Sequence, residues 1–458
     1  MASSKKPASS DLLQSVSDRL HTQLTPGRHV TVALSGGVDS VVLLHLLHRL
    51  QREWAFLLSA IHVNHQISPN AADWAGFCAA LCAKLHVPLV VKTIRVPRRS
   101  QAGLEAAART LRYRAFAELD TDCLLLAHHL DDQAETVLLN LLRGAGVRGA
   151  AAMPEIRLQA SGVGRQGEGA PIVRPLLEVP RAALVAYAKK HRLAWIEDES
   201  NLDAAFTRNY LRHAVLPAIE KRFPAYRQTL ARAARHFAEA DSLLDELAAI
   251  DMARAVRDGK LKLALLQQYS LARAKNLLRA YFAAQGMPAL DAERLQEWLR
   301  QLVGARGDSQ VELGVAGLVL RRYRGEIWVE PDTPCPAADW QITWRGEREL
   351  ALPELGGRWS MIPVQGEGLS VSKLGAAPIT LRLRQGGEKL KPDCGRPRKT
   401  LKHLLQEAAI PPWQRERLPL LYSGETLVAA PGIGIDCAYQ AAPGEPGLRL
   451  AWVLTNTQ

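Results

Sequence analysis

The chain has 458 residues, of which 47% are hydrophobic and 23% charged, a composition typical of a globular protein with about two to four domains. Its formal net charge is +12, which favours a polyanionic partner such as RNA, although a basic protein of no special purpose is the alternative. No segment is typical of a signal peptide, and none reaches the roughly 20 apolar residues of a membrane span. We therefore expect a cytoplasmic protein with no membrane partner.

The cysteines are scattered, and no two of them form a CxxC pair. They are Cys78, Cys82, Cys123, Cys335, Cys394 and Cys437. This spacing predicts reduced thiols rather than a disulfide framework or a zinc ribbon.

Strand-like and helical patterns alternate in the first half of the chain, after a polar tail at 1–10 that we expect to be disordered. Strands are predicted at 30–34, 57–63, 89–94 and 123–127, and helices at 38–50, 71–84, 104–118 and 132–142. This alternation predicts an α/β domain with a parallel sheet over residues 11–220. Ligands of such domains bind at the carboxyl ends of the strands.

Residues 35–40 read Ser-Gly-Gly-Val-Asp-Ser and join the first strand to a helix. Backbone N–H groups at two glycines, two hydroxyls and a helix N-terminus are typical of a phosphate cradle. Asp39 would repel phosphate unless a cation such as Mg²⁺ bridges the two, so we expect a metal-bound nucleotide. The alternative is an ordinary Gly-Gly turn.

A second polar segment, His128 to Thr136, follows the strand at 123–127, and the sequence at 63–65 follows the strand at 57–63 in the same way. All three segments should therefore meet at one edge of the sheet. Asp132 and Glu135 are three residues apart and share a helix face. Asp131 or Asp132 could instead cap the helix. Arg109 and Arg112 share the face of another helix, where they could clamp a phosphate or serve solubility.

The second half of the chain has a different pattern. A formal GxGxxG match at 162–167 is followed by no helix and is interpreted as a surface loop. Helices are predicted at 227–249, 261–285 and 291–302, followed by short strands and a proline-rich linker at 310–345. We expect a mainly helical domain with a linker at 221–345 and a compact α+β domain at 346–458.

Residues 382–402 form a basic segment that contains eight basic and two acidic residues, which give a local charge of +6. Such a run gains RNA affinity by releasing counterions from phosphates, and a solvated charged face is the alternative. Trp413 could stack on a base or fill the core.

The hexapeptide at 35–40 resembles the SGGxDS loop of the PP-loop ATP pyrophosphatase superfamily, whose members adenylate an oxygen atom. The segments at 128–153, 174–177, 197–201 and 208–212 resemble the signatures of the tRNA(Ile)-lysidine synthetase family within it. The segment at 396–413 resembles that family's C-terminal domain, so the likeness covers nearly all of the chain.

This resemblance implies that lysine is joined to C2 of the wobble cytidine of a CAU-anticodon isoleucine tRNA. In the implied reaction, ATP first adenylates the C2 oxygen, with Mg²⁺ as cofactor, and L-lysine is the second substrate. The modified tRNA then reads the codon AUA instead of AUG, and its identity changes from methionine to isoleucine. A homodimer is an open alternative to a monomer. The domains at 221–345 and 346–458 would bind the tRNA.

The resemblance and the residue chemistry together predict the site residues. The residues predicted to bind ATP are Ser35, Gly36, Gly37, Val38, Asp39 and Ser40, and Asp39 is also predicted to bind Mg²⁺. Asp132 and Glu135 are predicted to bind lysine and, together with Asp39, to be catalytic. Contacts to nucleotide or phosphate are predicted for Arg109, Arg112, His128 and Arg208, and contacts to tRNA for Arg396, Arg398, Lys399, Lys402 and Trp413. Two other functions are possible. tRNA thiolation would need reactive cysteines, and a non-catalytic RNA-binding protein would not need Asp39, Asp132 and Glu135.

Overall fold

The structure is a computed structural model that describes residues 9–97, 104–159, 169–199, 207–305, 311–375 and 377–454. The chain divides into two compact units, Met1–Leu244 and Asp245–Gln458. The surface loop predicted at 162–167 and most of the tail predicted at 1–10 lie outside the described residues.

The first unit contains the predicted alternation of strands and helices. Its strands are β1 His29–Ala33, β2 Leu57–Asn64, β3 Leu89–Thr93, β4 Cys123–Leu125, β5 Ile156–Gln159 and β6 Gly169–Val173. Its helices are α1 Ser9–Leu20, α2 Val38–Trp54, α3 Ala71–Leu85, α4 Leu104–Ala117, α5 Leu130–Leu142, α6 Val147–Ala150, α7 Arg181–Lys190, α8 Thr207–Tyr210 and α9 Leu216–Arg222, with a π-helical segment at Leu211–Val215. Helix α10, Tyr226–Ala255, begins in this unit and ends in the second.

The sheet of the first unit has the strand order β3-β2-β1-β4-β6-β5. Every pair is parallel except β5 with β6. The parallel α/β fold is therefore confirmed. The chain moves from β1 to β2 on one side and returns to β4 on the other, so β1 and β4 flank the point where ligands of such sheets bind. Apolar residues of β1 and α2, among them Val30, Val32 and Leu44, are fully buried in the core that fixes this edge.

The second unit combines helices with antiparallel sheets. Its helices are α11 Leu263–Gln268, α12 Leu271–Ala284, α13 Ala292–Gly304, α14 Leu401–Glu407 and α15 Pro412–Arg415. Its strands are β7 Val256–Arg257, β8 Lys260–Lys262, β9 Glu312–Val315, β10 Leu318–Tyr323, β11 Glu326–Pro331, β12 Gln341–Thr343, β13 Glu349–Leu352, β14 Gly357–Gln365, β15 Ile379–Arg382, β16 Lys389–Leu390, β17 Lys399–Thr400, β18 Leu420–Ser423, β19 Thr426–Ala430, β20 Gly434–Ile435 and β21 Pro446–Leu454.

Helices α11–α13 pack with the sheet of order β7-β8-β11-β10-β9 around one core that includes Leu277, Trp298 and Ile327. Strand β12 pairs with β15, so the sheet of the C-terminal region begins before residue 346. The short strands predicted at 310–345 are present, and the C-terminal region is α+β as expected.

The single helix predicted at 261–285 is wrong in two places. Leu261 belongs to β8, where it pairs with Ile327, and the helix is interrupted at Tyr269 and Ser270. The Ser270 hydroxyl accepts a hydrogen bond from the backbone N–H of Arg273 at 3.4 Å and so begins α12 as an N-cap. Helical periodicity alone does not reveal this break.

The prediction of reduced thiols is wrong for one pair of cysteines. Cys394 and Cys437 form a disulfide with a Cα–Cα distance of 5.5 Å, across a sequence separation of 43 residues. The fold brings them together because the backbone N–H of Cys437 donates to the Lys391 carbonyl at 2.9 Å, a long-range contact that cysteine spacing does not reveal. Cys78, Cys82 and Cys123 are free and buried. Within the described ranges, no helix is long and apolar enough to cross a bilayer.

Candidate active site

The loop at 35–40 lies at the carboxyl end of β1 and leads into α2. Gly36 has a φ of +92°, and a Cβ atom there would lie 2.7 Å from Ile196 Cδ1. Glycine is therefore required at this position. The Ser40 hydroxyl donates to the Gly37 carbonyl at 3.0 Å and lies 3.1 Å from Ser35 Oγ. Buried Ser40 thus holds the loop in shape, whereas Ser35 is exposed.

Asp39 occupies the first turn of α2. Its Oδ1 atom is buried and has no hydrogen-bond partner among the described residues, and it lies 3.9 Å from Arg181 Nε. A buried carboxylate oxygen without a donor is a suitable ligand for a hard cation such as Mg²⁺. No group of three or more His, Cys, Asp or Glu side chains in the described ranges could hold a metal by itself. The residues present therefore fit a Mg²⁺ ion that arrives with a nucleotide and uses Asp39 as a protein ligand.

Helix α5 begins with a reciprocal cap between His129 and Asp132. The His129 ring accepts from the Asp132 N–H at 3.3 Å, and the Asp132 carboxylate accepts from the His129 N–H at 3.1 Å. His129 Nε2 also lies 3.6 Å from Asp39 Oδ2. Burial works against protonation of His129, but the carboxylates of Asp39, Asp132 and Asp131 outweigh it and raise its pKa. This contact joins the two predicted motifs at one edge of the sheet, as expected.

The carboxylate of Glu135 is held by two arginines. Arg208 Nε lies 3.0 Å from Glu135 Oε2, and Arg212 Nε lies 2.7 Å from Oε1. Arg212 also reaches Asp132 Oδ1 at 3.4 Å. Only 2% of the Glu135 side chain is exposed, against 16% of Asp132. Of the two carboxylates, Asp132 is therefore the more accessible to a ligand.

Asp131 has a separate set of partners. Its Oδ2 accepts from the backbone N–H of Arg181 at 2.9 Å, and its Oδ1 accepts from Arg227 Nε at 2.5 Å. Burial works against ionisation of this carboxyl, but these hydrogen bonds outweigh it and lower its pKa. Asp132, not Asp131, faces the arginines that hold Glu135, and the cap of α5 belongs to His129 with Asp132.

A second group of cations surrounds Tyr113 of α4. The Arg109 guanidinium lies 5.5 Å from the Tyr113 ring centroid and that of Arg157 lies 5.6 Å away. Burial raises the pKa of Tyr113, but Arg109, Arg174 and Arg112 outweigh it and lower the pKa overall. Burial, together with the charges of Arg174, Arg208, Arg112 and Arg109, holds the pKa of His128 well below its usual range. The predicted residues Arg109, Arg112, His128 and Arg208 therefore share one positive environment, where His128 is neutral at pH 7.

Three of the basic residues predicted to bind tRNA have acidic partners. Arg398 pairs with Asp436 at 3.0 Å, Lys399 with Glu407 at 2.7 Å, and Arg396 with Asp393 at 3.1 Å. In contrast, Lys389, Lys391 and Lys402 have no ion-pair partner among the described residues. The run at 382–402 therefore presents fewer unpaired charges than its sequence count of +6.

Trp413, predicted for tRNA binding, is half-buried. Its ring makes edge contacts with Tyr323 and Trp328, at centroid distances of 5.9 and 6.0 Å. The Arg321 guanidinium lies 5.4 Å from its centroid.

Four arginines of the site were missed by sequence reasoning. Arg212 is four residues after Arg208, and this helical spacing could have identified it. Arg174 begins a segment that resembles the family, and Arg181 follows that segment, but sequence alone assigns neither of them a role. Arg227 carries no local signal, because its partner Asp131 is 96 residues away.

Comparisons with known proteins agree with this geometry. Residues 8–219 match the model of the PP-loop domain, residues 261–328 the TilS substrate binding domain, and residues 379–452 the TilS substrate C-terminal domain. The tRNA(Ile)-lysidine synthase of Nitrosomonas europaea is 43% identical over 452 residues, which cover 99% of this chain and 98% of that protein. The enzyme of the same name from an Azoarcus species is 42% identical over 428 residues, covering 93% of this chain and 92% of that protein.

Among solved structures, the U34-tRNA thiolase NcsA from Methanococcus maripaludis matches with a TM-score of 0.42 at 19% identity, covering 50% of this chain and 79% of that one. The fold, the loop at 35–40 and the family matches define an ATP-binding PP-loop enzyme of the ligase class. The full-length relatives define its family: the chain belongs to the tRNA(Ile)-lysidine synthases.

Proposed function

We propose that the protein ligates free L-lysine to C2 of the wobble cytidine of the CAU-anticodon isoleucine tRNA. The cytidine C2 oxygen attacks the α-phosphate of ATP and pyrophosphate leaves. The ε-amine of lysine then attacks C2, loses a proton, and AMP leaves with the oxygen. The observation that carries this proposal is the contact of His129 with both Asp39 and Asp132, because it joins a phosphate cradle to carboxylates suited to an ammonium group.

The first half-reaction would take place over the loop at 35–40. Its backbone N–H groups and the start of α2 would hold the phosphates of ATP, and Asp39 would hold Mg²⁺ through its unpartnered oxygen. When bound, Mg²⁺ neutralises charge on the phosphate oxygens. Arg109 and Arg112 of α4 would face the charge that develops on the α-phosphate.

The second half-reaction requires a neutral lysine amine, whose ordinary pKa is about 10.4. Asp132 would bind the ammonium group and accept its proton, since this carboxylate is the more accessible of the two. Glu135 would act by fixing Arg208 and Arg212 against Asp132, because its own oxygens are occupied by both guanidinium groups. Neutral His128 could accept a hydrogen bond from the cytosine without adding charge.

Thiolation is disfavoured by the state of the cysteines. Burial raises the pKa of the Cys123 thiol to about 12 and that of Cys82 to about 11. A thiolate nucleophile is therefore scarce at neutral pH at either residue.

The test is to incubate the protein with ATP, isotope-labelled lysine and a CAU-anticodon isoleucine tRNA transcript, and to analyse the nucleosides by mass. Lysidine carrying the label is expected, with AMP formed in equal amount. A matched transcript with uridine at the wobble position is the control and should give none. Absence of labelled lysidine from the first transcript, with folded protein, would contradict the proposal.

A further inference from the structure

The second unit contains a cavity of about 310 Å³ that no step above uses. Residues of β10 line one side, among them Arg321 and Arg322, and residues of and after α15 line another, among them Trp413 and Arg417. Contacts beside the cavity join these elements: Arg415 of α15 donates to the hydroxyl of Tyr323 in β10 at 3.0 Å, and Arg324, just after β10, donates to the carbonyl of Gln406 in α14 at 2.7 Å.

Buried N–H groups without partners are concentrated at this cavity. In the part of the chain that the structure describes, hydrogen-bond partners are lacking for Arg321 Nη1, Arg322 Nε and Trp413 Nε1, and for Nε1 of the neighbouring Trp328. Arg321 is buried, since only 7% of it is exposed. Arginine and tryptophan side chains only donate hydrogen bonds. An occupant must therefore bring acceptors, because buried polar groups are normally paired.

The net charge of the lining residues indicates whether a phosphate or a base is the better occupant of the cavity. Three arginines line the cavity, at positions 321, 322 and 417, and three acids balance them, at positions 312, 332 and 416. Arg321 is already paired with Glu312 at 3.1 Å. A formally neutral lining adds little attraction for a phosphate. A neutral, planar group with acceptor edges and a stacking face fits better, since Trp413 and the Arg321 guanidinium supply flat surfaces.

We propose that this cavity takes one unstacked nucleobase of the substrate tRNA, an inference that rests on the proposed function. The cavity volume lies at the lower end of the range of about 300–1,000 Å³ found for small-ligand sites, which suits a single base. The base accepts hydrogen bonds from Arg321 and Trp413, and its sugar-phosphate stays outside. This contact supplies affinity without neutralising a phosphate.

The test measures binding of the CAU-anticodon transcript to the full chain across a salt series, for wild type, Trp413→Phe and Arg321→Gln. The first variant keeps an aromatic ring and removes the indole N–H. We expect each variant to bind about tenfold more weakly, with an unchanged slope of log K against log salt, because the protein still neutralises the same phosphates. The matched control is Arg294→Gln, since Arg294 also lies over a tryptophan, 5.2 Å from the Trp298 centroid, and does not line the cavity. It should bind like wild type.

Three outcomes would overturn the inference. They are unchanged affinity in Trp413→Phe, a flattened salt slope, which marks a phosphate site, and an equal loss in the Arg294 control. If Arg321→Gln does not fold, as judged by its melting temperature, Trp413→Phe decides alone. Failure of the proposed function is seen separately, because the wild-type chain would then form no labelled lysidine whatever the variants do.

Discussion

The candidate active site of the first unit and the basic segment of the second, residues 382–402, both contain ion pairs, but the pair of Lys399 with Glu407 is more exposed than the pairs of Glu135. At the candidate active site, Glu135 is 2% exposed and its partners Arg208 and Arg212 are about one-third exposed or less. In the basic segment, 36% of Lys399 and 57% of Glu407 are exposed. The distances are similar, since the contacts of Arg212 with Glu135 and of Lys399 with Glu407 are both 2.7 Å.

This difference decides what each pair can do. An exposed pair contributes about 0–1 kcal/mol and is screened by salt, so its lysine can leave the carboxylate for an RNA phosphate at little cost. Removing one partner of a buried pair leaves an uncompensated charge and costs about 3–5 kcal/mol. The carboxylate of Glu135 is thus fixed in place, whereas Lys399 of the basic segment can exchange Glu407 for an RNA phosphate.

The largest effect is expected from Asp39→Ala, which removes the unpartnered oxygen from the phosphate cradle. Release of pyrophosphate should fall at least about 100-fold, because a group that holds a charge-neutralising metal acts directly on the transition state. The assay measures pyrophosphate with tRNA and ATP present. The melting temperature should stay near that of wild type. A folded variant with near-normal pyrophosphate release would show that Asp39 is not needed for adenylation.

The second effect separates Asp132 from Glu135. Glu135→Gln removes the nearest balancing charge of Arg208 and Arg212 and leaves them with the more distant Asp132 carboxylate. Unfolding free energy should therefore fall by about 3 kcal/mol, at the lower limit for a buried pair, because both arginines are also partly exposed. Asp132→Asn should cost less stability and should raise the KM for lysine.

For both variants, adenylated tRNA and lysidine are quantified separately. We expect Asp132→Asn to reduce lysidine more than adenylated tRNA. An unchanged KM for lysine in Asp132→Asn would contradict its assignment, and equal stability of the two variants would contradict the distinction by burial.

Sequence alone could predict the parallel sheet, the loop at 35–40 and the meeting of Asp39 with the segment after β4, because each depends on short-range pattern and on the rule for strand ends. It could not identify the ion pair of Arg227 with Asp131 or that of Arg398 with Asp436. These pairs join residues 96 and 38 positions apart, and no periodicity links them. The disulfide between Cys394 and Cys437 was missed for the same reason.

A smaller effect is expected in the basic segment, where unpaired and paired cations can be compared. A variant with Lys389, Lys391 and Lys402 changed to alanine should bind tRNA more weakly and lower the slope of log K against log salt by about 0.7–0.9 for each phosphate that is no longer neutralised. The matched triple variant at Arg396, Arg398 and Lys399 should lose less affinity, because Arg398 is paired with the buried carboxylate of Asp436, which is only 3% exposed, and does not leave it readily for a phosphate. ATP binding should persist in both. An equal loss in the two variants would show that the ion pairs do not matter.

The smallest effect is expected at His45 of α2, a partly buried histidine near other basic side chains. Burial, together with His191, Arg49 and His48, lowers its pKa to about 4. Because the folded pKa lies below the ordinary value of 6.5, the unfolded chain binds a proton first, and stability falls as pH drops from about 6.5 towards 4. At pH 5 the loss should be about 1–2 kcal/mol after allowance for solvent screening. His45→Gln should remove this loss of stability at low pH. The unfolding free energy of wild type, relative to that of the variant, should therefore be lower at pH 5 than at pH 7.5. A constant difference between pH 7.5 and pH 5 would mean that burial and the neighbouring basic side chains do not lower the pKa of His45 in the folded chain.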